Sequence, residues 1–213
     1  MPAEGAIISD RLSAVPAQGQ RNFLFQEGNK MKNQKVRALA ECAVFIAMAI
    51  GLSYLKIPIG LSFGGFGGSV DLVMIPLIIA AYRWGVGWGL LTGLVFGTLK
   101  FYFAGGSAVN WQSMLLDYSV AYMFVGFAGL VKRESGHVWF GALIGCIGRF
   151  LIHFISGVTI YAQYMSDIFG YHMTKPWVYS LLYNGSYMLP NTILAVVACG
   201  ILGVVLKKQL QKS

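Results

Sequence analysis

The sequence predicts an all-α integral membrane protein, a six-transmembrane-helix bundle, on three observations. Of the 213 residues, 56% are hydrophobic and 11% charged, against roughly a quarter charged in a soluble domain. The mean hydropathy is +0.63, and the apolar residues come in long uninterrupted runs, as in membrane helices, not in the alternation of a β-barrel. Basic residues cluster between those runs. The net charge of +8 therefore reads as a cytoplasmic membrane face and not as a nucleic-acid footprint. Cys42, Cys146 and Cys199 stand alone in apolar surroundings. They have neither metal-ligand spacing nor the makings of a disulfide framework, and read as packing residues.

Residues 1–30 are polar and lack the apolar core of a signal peptide. They are expected to form a disordered cytoplasmic extension. Met31 opens MKNQKVRALAE, a natural start for a membrane domain over 31–213. The first helix is predicted over residues 36–57. Ala43, Ala47 and Gly51 are spaced by four on it, a small-residue stripe that admits another helix backbone, either within the bundle or from a docked membrane partner. The next stretch, IGLSFGGFGGSVD at 59–71, is too rich in glycine for a helix. It also lacks the GK[ST] of a phosphate loop. The second helix is expected from near Ser69 to Arg83. Asp71 then lies only about 18 Å from Arg83, against a hydrocarbon core of roughly 30 Å. The glycine loop must dip into the outer membrane, where non-helical backbone is tolerated if it lines a cavity.

The third helix, over 85–103, carries a smooth face of Gly85, Gly87, Gly89, Gly93 and Gly97 suited to close packing. The fourth, 111–131, carries Asp117 and Tyr118; the fifth spans 138–165. A loop with Asp167, His172 and Lys175 follows. The sixth covers 176–206, with Pro176 at its first turn and a kink expected near Pro190. Six spans put both termini on one side. Lys30, Lys32, Lys35, Arg37, Arg83, Lys132, Arg133, Lys207, Lys208 and Lys212 fall on that side, against Lys56, Lys100 and Lys175 on the other. The termini are therefore expected to be cytoplasmic.

Polar groups converge at one depth. In RFLIHFISGVTIYAQY, residues 149–164, a repeat of four places Arg149, His153, Gly157 and Tyr161 on one helix face. Counting rise from the cytoplasmic edge puts Asp71 about 18 Å up, Asp117 and His153 about 22 Å, and Asn184 about 34 Å along a tilted helix. Tyr161 and Tyr179 share this outer half of the membrane, and nothing comparable occupies the inner half. The pattern predicts an outward-facing ligand pocket. A membrane-embedded acid must be paired, protonated or solvated. Either Arg149 neutralises Asp117 or Asp71, or one of those acids awaits a cation. Tyr118, Tyr161, Tyr179, Tyr183 and Tyr187 crowd the same level and attract flat or cationic ligands. A carboxylate, aromatic faces and the Asn184 amide suit a small, flat, cationic heterocycle.

Five stretches then carry a resemblance: GGSVDLVMIP at 67–76, RWG at 83–85, LLDYSVA at 115–121, RFLIHFISG at 149–157 and VYSLLYNGSYMLP at 178–190. Over residues 31–208 the chain resembles the thiamine-specific S components of energy-coupling factor (ECF) vitamin transporters. The resemblance implies six helices and thiamine bound from outside the plasma membrane of a prokaryote. It also implies import driven by a separate coupling membrane protein and two ATPase subunits, with no cofactor and no enzymatic activity in this chain. By the same resemblance Asp117, Tyr118, His153, Tyr161, Tyr179 and Asn184 contact thiamine, and Ala43 and Ala47 dock the coupling protein, with Gly51 on the same stripe. Asp71 matches an acid in some relatives and Ser in others. Some relatives place a loop Trp where this chain has Gly67, a position that Phe63 or Phe66 would cover; Tyr161 replaces a Trp.

Three other readings compete. An S component for another vitamin would share the fold but would not need an unpaired Asp117. A stand-alone secondary transporter would show inverted repeats and broken helices in both halves, whereas one irregular loop is visible. An intramembrane aspartyl enzyme would use Asp71 and Asp117 as an acid–base pair, but its GxGD signature is missing.

Overall fold

The computed structural model describes residues 17–59, 67–131, 135–168 and 170–211. It divides into two compact units, Met1–Ala40 and Glu41–Ser213. In the first, the described residues belong to helix α1, Ala17–Leu52. The stretch 17–30, expected to be disordered, is therefore helical; residues 1–16 lie outside the described residues. All that follows concerns the second unit.

After α1 come two short strands, β1 (Ile57–Pro58) and β2 (Ser69–Val70), paired antiparallel. They tie together the two ends of the glycine loop, whose residues 60–66, with Phe63 and Phe66, lie outside the described residues. Helix α2 is Met74–Trp84 and α3 is Val86–Phe103. Gly85 separates them at φ 83°, a left-handed turn for which glycine carries no Cβ penalty, and its N–H still closes on Ala81 O at 2.8 Å. Helix α4 spans Trp111–Leu130, α5 Val138–Thr159 and α6 Pro176–Val205. A short α7, Lys207–Gln211, ends the described chain.

The fold is all-helical apart from the small hairpin, and α3 to α6 are long and apolar enough to cross a membrane. Helix α2 has 11 residues, about 16 Å of rise, and runs through the interior: Leu77, Ile78, Ala80 and Ala81 are fully buried. It starts at Met74, later than the sequence suggests, because the hairpin takes up Ser69 and Val70. The exposed residues of α6 include Ile193, Val197, Ile201 and Val204. Such a contiguous apolar surface suits lipid.

Of the five glycines expected to form a close-packing face, Gly89, Gly93 and Gly97 do so, whereas Gly85 and Gly87 have nothing within 4 Å of a Cβ position. A Cβ on Gly93 would strike Tyr122 O and one on Gly97 would strike Tyr118 O, both on α4; a Cβ on Gly89 would meet Ala81 of α2 and Gly126 of α4. Backbone therefore lies against backbone, as small residues permit. The RWG stretch has a structural use. The Arg83 guanidinium grips Glu41 and donates to Gln209 O, and Trp84 Nε1 donates to Glu41 at 3.0 Å. Helices α1, α2 and α7 are joined there.

Along α4, α5 and α6 the interior has two tiers. Val125, Ala128, Val138, Ala142, Cys146, Ala195 and Cys199 belong to a dry apolar core near one end. The three cysteines are free and buried, as packing residues should be. The other tier, toward residues 117, 153 and 183, is polar and aromatic.

Candidate functional site

The polar tier encloses a cavity of about 550 Å³, within the usual range for small-molecule sites. Helix α4 enters it through an irregularity. Asn110 caps the helix with its side chain on Ser113 N at 2.8 Å. Leu115–Val120 then winds as a π-helix before α-helix resumes at Ala121. π-turns inside helices recur at functional sites because they re-aim side chains. Here the neighbours Asp117 and Tyr118 both face the cavity. Opposite, α5 supplies Arg149, His153 and Gly157, and α6 supplies Tyr179, Ser180, Tyr183, Asn184 and Tyr187. Tyr161 lines the cavity too, but from a 3-10 turn, Tyr161–Tyr164, beyond the end of α5. The four-residue stripe thus holds as a wall, although its last member has left the α-helix.

All five tyrosines named from the sequence line this wall. Tyr179 and Tyr183 stack in parallel at 5.7 Å, and Tyr187 meets the His153 ring edge-on at 6.2 Å. Two of the hydroxyls are taken by loops. Tyr118 Oη accepts from Ser107 N at 2.8 Å and donates to Ser107 O. Tyr183 Oη accepts from Gly67 N at 3.0 Å and donates to Gly67 O. Both loops border the cavity. Gly68 (φ 101°) lies so close to the Tyr187 ring that a Cβ would stand 2.6 Å from it.

Asp117 pairs with His153, Nδ1 to Oδ1 at 3.1 Å, and not with Arg149. With its proton on Nδ1, a neutral His153 donates to the carboxylate and leaves Asp117 charged. His153 Nε2, buried and without a hydrogen-bond partner, is then an acceptor. Asn184 Nδ2 donates to Ser180 O at 3.0 Å and to His153 O at 3.3 Å, and its Oδ1 accepts from Tyr187 Oη at 2.7 Å. The amide is mostly engaged in tying α6 to α5, and one Oδ1 lone pair remains.

Three expectations are corrected. Asp71 does not line the cavity. It is buried and paired with Lys100 Nζ at 3.1 Å, accepts from Ser69 Oγ and Val73 N, and its own N–H reaches Asn191 Oδ1. Its carboxylate is thus engaged by Lys100; Asp71 stands apart from the residues that line the cavity and is not paired with Asp117. Lys100, assigned from the sequence to the outer surface, is 7% exposed and lines the cavity. Gly157 is not an open notch, since Ser180 of α6 fills the space a Cβ would take. The structure also adds cavity residues that the sequence reading passed over: Lys56, Ser107 and Tyr122. Ala43, Ala47 and Gly51 are all exposed. The described residues hold no cluster of His, Cys, Asp or Glu able to bind a metal.

An all-helical membrane bundle with a buried, aromatic-walled cavity at one end defines a membrane protein that handles a small organic molecule. Comparison with known proteins narrows this. The sequence profile of the thiamine transporter protein family matches residues 39–211, and the chain belongs to that family, one of transport proteins rather than enzymes. It is 32% identical over 187 residues to the thiamine transporter ThiT of Bacillus subtilis, covering 79% of this chain and 91% of the relative. To ThiT of Lacticaseibacillus paracasei it is 29% identical, covering 80% and 89%. A solved structure of ThiT from Listeria monocytogenes superposes with a TM-score of 0.71 at 25% identity, over 83% of this chain and 98% of that one.

Proposed function

We propose that this chain is the thiamine-binding membrane subunit of an ATP-driven importer of the ECF type. The observation that carries the reading is the Asp117–His153 pair set among aromatic faces in a cavity of about 550 Å³. Thiamine carries a fixed positive charge on a flat thiazolium ring beside an aminopyrimidine. Asp117 compensates that charge without a proton being moved. Tyr161 and His153 offer ring surfaces, His153 Nε2 and the free lone pair of Asn184 Oδ1 accept hydrogen bonds, and Tyr118 and Tyr179 complete the wall. Asp71 has no part in binding. The described base of the glycine loop is held at the cavity rim by the β1–β2 pair and by Tyr183 on Gly67.

Energy comes from outside the chain in this reading. The polar tier ends at the dry core and gives thiamine no inward path, so release requires the subunit to reorient as a body. Docking of a coupling membrane protein, itself joined to two ATPase subunits, on the exposed Ala43, Ala47 and Gly51 face supports such a motion. Both termini then lie on the cytoplasmic side of the plasma membrane.

The test is calorimetric titration of thiamine into detergent-solubilised protein, with riboflavin and biotin as controls and mass spectrometry of any compound that co-purifies. Saturable binding of thiamine alone is expected. Binding of a control vitamin with thiamine inert would replace the reading by an S component for another vitamin.

A further inference from the structure

Strand β2 has two edges, and β1 covers one of them. In an antiparallel pair, successive residues turn their N–H and C=O groups to opposite edges. Gly68 faces β1, accepting from Ile59 N at 3.1 Å, and Val70 pairs with Ile57. Gly67, Ser69 and Asp71 therefore face away from β1. Backbone groups on a buried edge must find partners or cost free energy. Among the described residues no third strand supplies them.

Helix α6 takes the place of that strand. Tyr183, Tyr187 and Asn191 recur every four residues on one face, and each meets the next step of the segment 67–71. Tyr183 Oη accepts from Gly67 N at 3.0 Å and donates to Gly67 O. The Tyr187 ring packs on Gly68, where a Cβ would stand 2.6 Å from it. Asn191 Nδ2 donates to Ser69 O at 2.7 Å, and Asn191 Oδ1 accepts from Asp71 N at 2.9 Å. Eight residues of helix rise about 12 Å, close to the roughly 13 Å that four strand residues span. The second Nδ2 hydrogen goes to Tyr187 O at 2.9 Å. Asn191 is 2% exposed and thus meets two acceptors and one donor, a set that a primary amide satisfies and a carboxylate or a hydrocarbon does not.

We infer that Asn191 is a positioning residue for the ligand site, its amide standing in for a third strand that sets the Gly67–Ser69 backbone as cavity wall. Gly67, Gly68 and Ser69 line the cavity and Asn191 does not, so Asn191 acts on a ligand only through them. Resting on the thiamine reading, the ligand that this wall retains is thiamine. Without the amide, Ser69 O and Asp71 N lose the partners they have on α6, and the Tyr183 hydroxyl alone holds the segment by hydrogen bonds to that helix. A wall loosened from the Tyr187 ring retains a ligand less well, an effect on dissociation more than on association.

The experiment compares full-length wild type, Asn191→Leu and Gly203→Ala. Gly203→Ala is the control for lost stability: a Cβ there would stand 2.9 Å from Val138 in the dry tier, and Gly203 does not line the cavity. Two rates are read, hydrogen exchange of the amides of residues 67–71 without ligand and thiamine dissociation by stopped-flow fluorescence. Asn191→Leu is expected to quicken both about tenfold, the scale of one or two lost hydrogen bonds. Gly203→Ala should leave both within about twofold. Unaltered exchange in Asn191→Leu overturns the inference, because the amide then does not hold the segment. Faster exchange with unaltered dissociation, or an equal quickening in Gly203→Ala, overturns it too, since Asn191 then serves stability alone. Should Asn191→Leu not fold, wild type decides: thiamine is expected to slow exchange at 67–71 by about threefold or more, and no slowing overturns the inference. If wild type binds no thiamine, the thiamine reading falls, and exchange at 67–71 in Asn191→Leu decides by itself whether Asn191 sets the wall.

Discussion

Asp117 and Lys100 illustrate opposite ways of keeping a charge inside a membrane. Asp117→Asn keeps the shape and the hydrogen bond to His153 and removes the charge that a cationic ligand would meet. Thiamine affinity should fall by about 30- to 100-fold, roughly 2–3 kcal/mol, in a calorimetric titration, with folding retained. An unchanged affinity would remove Asp117 from the site. Lys100→Met acts on stability instead. It strands the Asp71 carboxylate in the interior, a loss of about 3–5 kcal/mol for a broken buried pair. The melting temperature should drop sharply, and Lys100→Met with Asp71→Leu should recover much of it. The sequence pointed to Asp117, His153 and the tyrosines because polar residues in apolar runs are conspicuous. It misplaced Lys100 because a lysine in the last turn of a span reads equally well as an interfacial anchor. Only its neighbours Asp71, 29 residues away, and Tyr122, 22 residues away, make it an interior residue. That Asp71 pairs with Lys100 and Asp117 with His153, and neither with Arg149, was unreadable for the same reason: pairing is a tertiary fact.

At the scale of elements, helix order and most spans follow from hydropathy, and the close packing of Gly89, Gly93 and Gly97 followed from spacing alone. The π-turn in α4 does not announce itself in LLDYSV. The wider turn lets adjacent Asp117 and Tyr118 share one cavity wall, and it is fixed by packing against α3 and α5, not by local propensity. The loops are held by single hydroxyls, which sequence inspection cannot assign. Tyr183→Phe deletes the bond that holds Gly67 at the foot of the glycine loop while retaining the stack on Tyr179. One such bond is worth about 1 kcal/mol. Thiamine dissociation should therefore quicken about fivefold in stopped-flow fluorescence, with little change in melting temperature; an unchanged off-rate would show that the Gly67 contact takes no part in retaining the ligand. Gly157→Ala tests the contact between α5 and α6. The added methyl meets Ser180, and overpacking of this kind costs about 1–3 kcal/mol, so both stability and binding should weaken, and Ser180→Gly should restore them in part.

For the whole molecule, the division into a dry tier and a polar tier determines how transport can work. Core residues such as Cys146, Ala195 and Cys199 close the interior below the cavity, so a bound molecule can leave only by the face it entered or by movement of the entire subunit. The first route is capture without import. On the proposed reading the second needs a partner to hold and turn the bundle, for which α1 offers a candidate face: Ala43, Ala47 and Gly51 are exposed, and a Cβ on Gly51 would meet nothing within 4 Å. Within the bundle, small residues are covered by backbone, as on α3; on α1 they are uncovered, which is the difference expected of a docking surface as opposed to an internal contact. Ala47→Trp places bulk on that face, at a residue that does not line the cavity. Thiamine binding by the isolated subunit should remain within about twofold, since surface changes away from a site move free energies by about 0.5 kcal/mol or less. Uptake into cells that also carry the coupling protein and ATPases should fall to background. Uptake that persists in Ala47→Trp cells, or in vesicles lacking any ATPase, would instead mean that the subunit moves thiamine without a partner on this face.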